Sequence, residues 1–388
     1  MKEKIKKVLI AHQSTIPHYR VALYQKMEEL KPKEWEFSVV FDDDKLAHDK
    51  FFKESVVAED FNFKIEKAST YNRQFFNRSI TYQSFILRAW KYDLIIIGNT
   101  INNLSYLIGF LYAIFGKSVA VWWHRHNFSK GNLHGMRNLR ENFLLWASKR
   151  SKGVFTYTAG VKKYLHEQGL DNEKLFVLSN TIDINEKRRS FNNLQSRRDE
   201  LRESFNLSDK KSLLFVGRLN TAKRLDFLAE SFNRLKKKDA SYHLSIIGGG
   251  DDSIVRHLID TFGSESVAYH GVLTETDHLS QHYIASDLFV YPGDVGLGPL
   301  HSLCFNLPAL VIDSDSHGPE FEYLNEHNSV IMPRDTTNED FANKIEELLL
   351  NDAKLKQLRS GAWDSIKHLT IDNMAKSFIE GINSILST

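Results

Sequence analysis

Apolar runs of strand length recur along the chain, separated by stretches with helical spacing. In the first half they are "KVLIAH" (7–12), "EFSVVF" (36–41), "YDLIIIG" (92–98), "SVAVWW" (118–123) and "GVFTYT" (153–158). Between them lie the amphipathic "YRVALYQKMEEL", the strongly apolar "LSYLIGFLYAIFG" (104–116) and a helical pattern over 136–150. Continuous Val, Ile, Leu and Phe runs are what parallel strands need when helices cover both faces of their sheet. The second half repeats the scheme with "SLLFVGR" (212–218), "YHLSIIGGG" (242–250), "VAYHGVL" (267–273), "SDLFVYPG" (286–293) and "PALVID" (308–313). Leu225, Leu228, Ala229, Phe232 and Leu235 recur at helical spacing after the first of these. The expectation is an α/β chain of two open parallel-sheet domains facing a central cleft. The polar, strandless segment "INEKRRSFNNLQSRRDELRESFNLSDKK" puts the boundary near residue 185. The domains expected are 1–185 and 186–369, with closing helices in "NKIEELLLND" and "MAKSFIEGINSIL".

Two loops carry candidate chemistry. Open α/β sheets bind ligands at the carboxyl ends of their strands, where helix N-termini offer unpaired N–H donors. In "FVGRLNTAKRLDFL" (215–228), Gly217 permits close backbone approach while Arg218 and Lys223 sit between strand end and helix start. Cations at a helix start oppose its dipole unless an anion lies between, so the segment is shaped for phosphate. The second loop, "YPGDVGLGPLHSL" (291–303), has Gly293, Gly296 and Gly298, with Pro299 placed to open a helix. Backbone N–H groups of Leu297 and Gly298 and the hydroxyl of Ser302 are its candidate diphosphate donors. Neither loop is a Walker lysine loop or a dinucleotide fingerprint.

Composition and charge then narrow the setting. The 388 residues are 42% hydrophobic and 26% charged, which excludes a disordered chain. The lone Cys304 makes no internal disulfide, the opening segment reads as a first strand, and the 104–116 segment reads as a buried helix too short to span a bilayer. A cytoplasmic location is expected. The net charge of +2 hides an asymmetry: residues 1–180 hold 28 Lys+Arg against 18 Asp+Glu. Between Lys67 and Lys163, 15 basic residues face only Asp93 and Glu141, interleaved with aromatics. Such a block favours an anionic partner, and peripheral association with an anionic membrane at its inner face is the expectation.

The series "FVGRLNTAKRLDFL", "LSIIGGGDD", "YHGVLTETDHLSQHYIASDLFVYPGDVGLGPLHSLCFNLPALVID" and "HGPEFEYLNEHNSVIM" resembles the donor domain of retaining GT-B glycosyltransferases of family 4, glycosyl group 1. "IPHYRVALYQKM", "VWWHRHN" and "VFTYTAGVKKYLHEQGLDNEKLFVLSNTID" are similar to that family's acceptor domain, so the likeness covers nearly the whole chain. It implies two Rossmann-like domains, with the helix at about 370–388 packing back on the first. It also implies a hexose-type sugar moved from a nucleotide diphosphate sugar to a hydroxyl of a glycan, polyprenyl-diphosphate-linked and of bacterial polysaccharide type. Arg218 and Lys223 would neutralise the donor diphosphate, together with Gly296, Leu297, Gly298 and Ser302. Val272 and Leu273 would pass the base. The family's paired glutamates are absent: Gly293 and His301 hold their positions, so His301 and the neighbouring Asp294 are candidates for sugar or ribose contact, with Glu320 a further one. On the acceptor side the likeness points to His124 near the reacting carbon, with His126 as its rival. Near the first strand, "HQSTIPHYR" lines the same face of the sheet, which makes His18, Tyr19 and Arg20 candidates for acceptor or donor contact.

No cofactor or metal is expected, because same-face displacement needs mainly charge stabilisation on the departing diphosphate. The triplet Asp42, Asp43, Asp44 reads as a solvated turn. The rivals are a nucleotide-sugar epimerase or phosphorylase on a related fold, and a non-enzymatic lipid- or nucleic-acid-binding module. The last leaves both phosphate loops without work, and nucleic acid is not expected as a partner.

Overall fold

The computed structural model describes residues 5–12, 16–42, 61–75, 78–124, 136–273 and 276–388. The chain divides into two units, one formed by residues up to 180 with 371–388, the other by 181–370.

In the first unit, strands β1 (Lys6–Ala11), β2 (Trp35–Phe41), β3 (Lys64–Lys67), β6 (Leu94–Gly98), β7 (Ser118–Trp123), β8 (Gly153–Thr156) and β9 (Leu175–Val177) form one parallel sheet. Its order is β3-β2-β1-β6-β7-β8-β9, and a hairpin of β4 (Thr70–Phe75) and β5 (Arg78–Gln83) stands apart. Burial shows why the apolar runs do not alternate. Val8, Ile10, Leu94, Ile96, Ala120 and Trp122 pack on one face, while Leu9, Ala11, Ile95, Ile97, Val121 and Trp123 pack on the other. Successive side chains point to opposite faces, so a sheet covered on both sides demands apolar residues at every position. The helix Ile371–Ser387 lies on the first face, placing Met374, Phe378 and Ile382 in the core built by β1, β2 and β7.

One helix departs from expectation. Leu104–Ile114 buries only Ser105, Tyr106, Gly109 and Phe110, while Leu111, Ile114 and Phe115 stand exposed. The apolar run is therefore not a buried helix. Only the side resting on Ile97 and Ile86 meets the sheet, and no described element covers the opposite side.

In the second unit, β10 (Lys211–Val216), β11 (Tyr242–Ile247), β12 (Val267–Tyr269), β13 (Leu288–Tyr291), β14 (Ala309–Ile312) and β15 (Ser329–Met332) form a parallel sheet in the order β12-β11-β10-β13-β14-β15. The interdomain polar segment forms helices Ile184–Leu194 and Arg198–Ser204. Strand order reverses between β10 and β13, which pair through Leu213↔Leu288 and Leu214↔Phe289. In such sheets the crevice beyond the carboxyl ends at the reversal is where ligands bind. Both sequence-selected loops leave the sheet there. The first unit reverses in the same way between β1 and β6.

Candidate functional site

The loop after β10 is shaped by its neighbours. Gly217 N–H donates to Ile247 O at 2.9 Å and Leu219 N–H to Gly249 O at 2.9 Å, extending the β10–β11 ladder beyond the strands. This close approach needs Gly248, whose φ is +144°; a Cβ there would fall 1.8 Å from Gly217 O. The chain then makes a turn at Thr221–Lys223, passes through Arg224 at φ 52°, and enters the helix Leu225–Lys238.

The loop after β13 is pressed against this turn. Asp294 N–H donates to Ala222 O at 2.8 Å, and the Lys223 amine donates to Asp294 O. Gly293 lies so close that a Cβ would stand 2.4 Å from Ala222 O and from Lys223 Cα. The two loops meet. Lys223 is half-buried, its ammonium 5.2 Å from the Tyr291 ring centre. Burial lowers its pKa, and the nearby Arg218 adds to that while Asp294 opposes it. Arg218 itself is exposed on the loop. Two cations thus share one strand end, an arrangement that an anion would relieve.

A third loop, after β14, completes the group. His317 is buried, and its Nδ1 accepts from Val295 N–H at 3.0 Å, so the proton sits on Nε2, which donates to Ile312 O at 3.0 Å. Burial holds its pKa below the ordinary value. Gly318 N–H donates to Val295 O at 2.7 Å, and Ser316 Oγ donates to Asp294 Oδ1. His317 and Ser316 were not singled out from the sequence. The available signal was "SDSHGP" following an apolar run, a third strand-end loop beside the other two.

The remaining second-unit candidates are placed as follows. Gly296, Leu297 and Gly298 are half-buried and lead into the helix Gly298–Cys304. Ser302 is fully buried and its hydroxyl donates to Pro299 O at 2.8 Å, so it serves its own helix instead of the loop. His301 is half-buried with its Nδ1 unpartnered among the described residues. Desolvation, aided by Lys187, pushes its pKa down to about 3, so the ring is neutral. Glu320 is buried at the start of the turn Pro319–Tyr323, beside Gly318. Val272 is 62% exposed and packs over Gly249, with Leu273 half-buried beside it.

In the first unit, His124 is half-buried at the end of β7, and its backbone N–H donates to Asn99 Oδ1 at 3.2 Å. His12, directly after β1 and absent from the sequence-based candidates, lies against Trp122 with ring centres 4.1 Å apart and planes tilted by 38°, and meets the His124 ring edge-on at 5.3 Å. Its signal was its place directly after a strand, like that of His124. His18 is exposed and Tyr19 half-buried at the start of the helix His18–Leu30. Arg20 is different. It is 1% exposed, donates to Tyr157 Oη at 2.9 Å and to Asn180 Oδ1, and contacts Met374 Sδ. Its guanidinium pins the helix to β8 and the C-terminal helix and is not presented to a ligand. His126, Asp43 and Asp44 lie outside the described residues, and Asp42 is buried. Among the described residues, no group of three His, Cys, Asp or Glu could hold a metal ion.

Two family models match, one in each half of the chain. Residues 21–186 match the family model described as Glycosyltransferase Family 4, and residues 210–351 match Glycosyl transferases group 1. A search of curated proteins gives no match. Among solved structures, HepE of Anabaena in complex with UDP shares 15% identity at a TM-score of 0.70, covering 98% of this chain and 100% of its own. A glycosyltransferase from Rickettsia africae shares 14% identity at 0.70, covering 99% and 100%. Sucrose-phosphate synthase from Thermosynechococcus elongatus shares 14% at 0.67, covering 100% and 98%. With a glycosyltransferase domain matched in each half and the same architecture along its length, the chain is a glycosyltransferase of the GT-B fold.

Proposed function

We propose that the chain is a retaining glycosyltransferase that moves a hexose-type sugar from a nucleoside diphosphate sugar to a hydroxyl of a lipid-linked glycan in polysaccharide biosynthesis. The observation that carries this reading is the meeting of the loops after β10 and β13 at the strand-order reversal, with Arg218 and Lys223 on the first and the Gly296–Gly298 backbone on the second. The Anabaena neighbour has been solved with UDP and with UDP-glucose, which supports a nucleotide-sugar donor here.

The chemistry follows from charge. As the bond from the anomeric carbon to the phosphate oxygen breaks, negative charge grows on the departing diphosphate, and Arg218 and Lys223 neutralise it. The leaving oxygen takes the acceptor proton on the same face, so the anomeric configuration is kept. His301 acts as a neutral hydrogen-bonding group, consistent with its low pKa. It serves with Asp294 and Glu320 toward sugar and ribose, while Val272 and Leu273 flank the base. His124, at the end of β7, contacts the sugar near its reacting carbon. Metal is not required, since the two side-chain cations supply the compensating charge.

A panel of nucleotides and nucleotide sugars tests the reading by thermal shift. A ligand at a hundred times its Kd stabilises by about 2.7 kcal/mol, a shift of several degrees for a domain of this size. If no nucleoside diphosphate or nucleotide sugar moves the melting temperature at millimolar concentration, the donor assignment falls. Anomer analysis of the product by NMR tests retention, and an inverted product rejects it.

A further inference from the structure

We infer that the first unit docks on an anionic lipid surface through one face, formed by the outer sides of the segment Ser84–Lys91, the helix Leu104–Ile114 with the following Phe115, and the helix Met136–Arg150. The inference deepens the lipid-linked acceptor proposed above and rests on that reading for its purpose, although not for its test.

The face is apolar where a solvated surface would be polar. Phe115 is 75% exposed, Leu87 72% and Leu139 70%, and Leu111, Trp90 and Trp146 are also exposed. Along the middle helix Leu104, Leu111 and Phe115 fall on one side at helical spacing, opposite the side that meets the sheet. Ring contacts hold the three segments side by side: Trp90 with Tyr112 at 5.0 Å, the buried Phe110 with Phe143 at 6.2 Å, and Phe143 with Trp146 at 5.8 Å. A contiguous patch of this kind marks an interaction surface.

Charge identifies the occupant. Residues 84–117 and 136–152 contain eight Lys or Arg and two acids, Asp93 and Glu141; Arg88 and Lys91 are paired with Glu66 at 2.7 Å each, which leaves six cations against the same two acids. Cations sit at the rim over the indoles, Lys117 Nζ 5.5 Å from the Trp90 ring centre and Arg150 4.1 Å from that of Trp146. A centre of Leu and Phe, tryptophans at its margin and Lys or Arg around it match the depth profile of a bilayer interface bearing negative headgroups. None of the helices among the described residues is long and apolar enough to cross a membrane, so the contact is with the surface.

The experiment is cosedimentation of the full chain with vesicles of phosphatidylcholine alone and with about a third phosphatidylglycerol, at low and high salt. Binding should require the anionic lipid and weaken with salt. The double variant Lys149→Ala, Arg150→Ala should bind about thirty-fold more weakly, at roughly 1 kcal/mol per basic side chain near such a surface. Leu111→Asp with Phe115→Asp should abolish binding. Both variants should keep the wild-type melting temperature and the shift given by UDP, since their altered side chains are exposed. Equal binding to both vesicle types, no binding to either, or unaltered binding by the Asp variant overturns the inference. A wild-type dimer that the Asp variant disrupts, with no vesicle binding, overturns it in favour of a second copy. Absence of a shift by every nucleoside diphosphate and nucleotide sugar in the wild type would reject the donor reading and leave the vesicle result to be judged alone.

Discussion

Replacing Gly293 by alanine should uncouple the two loops without removing any polar group. The added Cβ would stand 2.4 Å from Ala222 O, from Lys223 C and from Lys223 Cα, all backbone atoms that cannot rotate away. Ordinary contact for these atoms begins near ~3.5 Å, so the loops must separate by about 1 Å. The strands behind them are hydrogen-bonded neighbours and cannot follow. Separation therefore falls on the link between the loops, the 2.8 Å bond from Asp294 N–H to Ala222 O and the bond from the Lys223 amine to Asp294 O. Overpacking of this kind costs about 1–3 kcal/mol of stability, and a displacement of about 1 Å at a reacting group costs on the order of 100-fold in rate. The assay is sugar transfer or donor hydrolysis from the nucleotide sugar selected by thermal shift, with affinity for the matching nucleoside diphosphate by calorimetry. If Gly293→Ala keeps wild-type turnover and nucleoside diphosphate affinity, contact between the loops has no part in catalysis.

Further outcomes follow from the same structure. Lys223→Ala and Arg218→Ala should each lower turnover by at least about 100-fold, since removing one preorganised charge-stabilising donor costs roughly 2.7–4 kcal/mol; a loss confined to KM would reject a transition-state role. Activity should survive a chelator, and a loss restored by added Mg²⁺ would put metal back into the mechanism. Acid should destabilise the fold, because burial holds His243 near a pKa of about 4 and His282 and His301 near about 3. The unfolded chain takes up protons near pH 6.5 that the native state refuses, so stability is intact above that pH and falls toward pH 4 by up to about 1.4 kcal/mol per group per pH unit. Urea midpoints that do not move between pH 7 and 5 would contradict this. Asp287→Ala should cost about 3 kcal/mol, because the carboxylate receives Arg198 at 2.6 Å, Arg202 at 3.2 Å and Ser212 N–H at 2.9 Å, and an unchanged urea midpoint would show that these contacts are weak.

The sheets were legible because double-sided burial forces consecutive apolar residues, as at Val8 to Ala11, where all four are fully buried. The β4–β5 hairpin was not, since "TYNRQF" and "RSITYQ" are polar strands without a compact turn signal and stand apart from both sheets. The candidate site divides along a similar line. Residue type and position after a strand suffice to suggest Arg218 and Lys223, because charge at a helix start is conspicuous whatever the packing. Direction of a side chain is a tertiary property, and sequence carries little of it. Ser302 and Arg20 look like ligand-facing groups in one dimension, yet one hydroxyl turns into its own helix and the guanidinium is spent between Tyr157 and Asn180. The run at 104–116 fails for the reverse reason: a helix apolar on all sides is normally buried, so a sequence cannot distinguish a core helix from one that keeps half of its apolar surface for a partner. That ambiguity is itself informative: the side of this helix that no described element covers is the side the docking proposal uses, with Lys117 and Arg150 beside the indoles of Trp90 and Trp146.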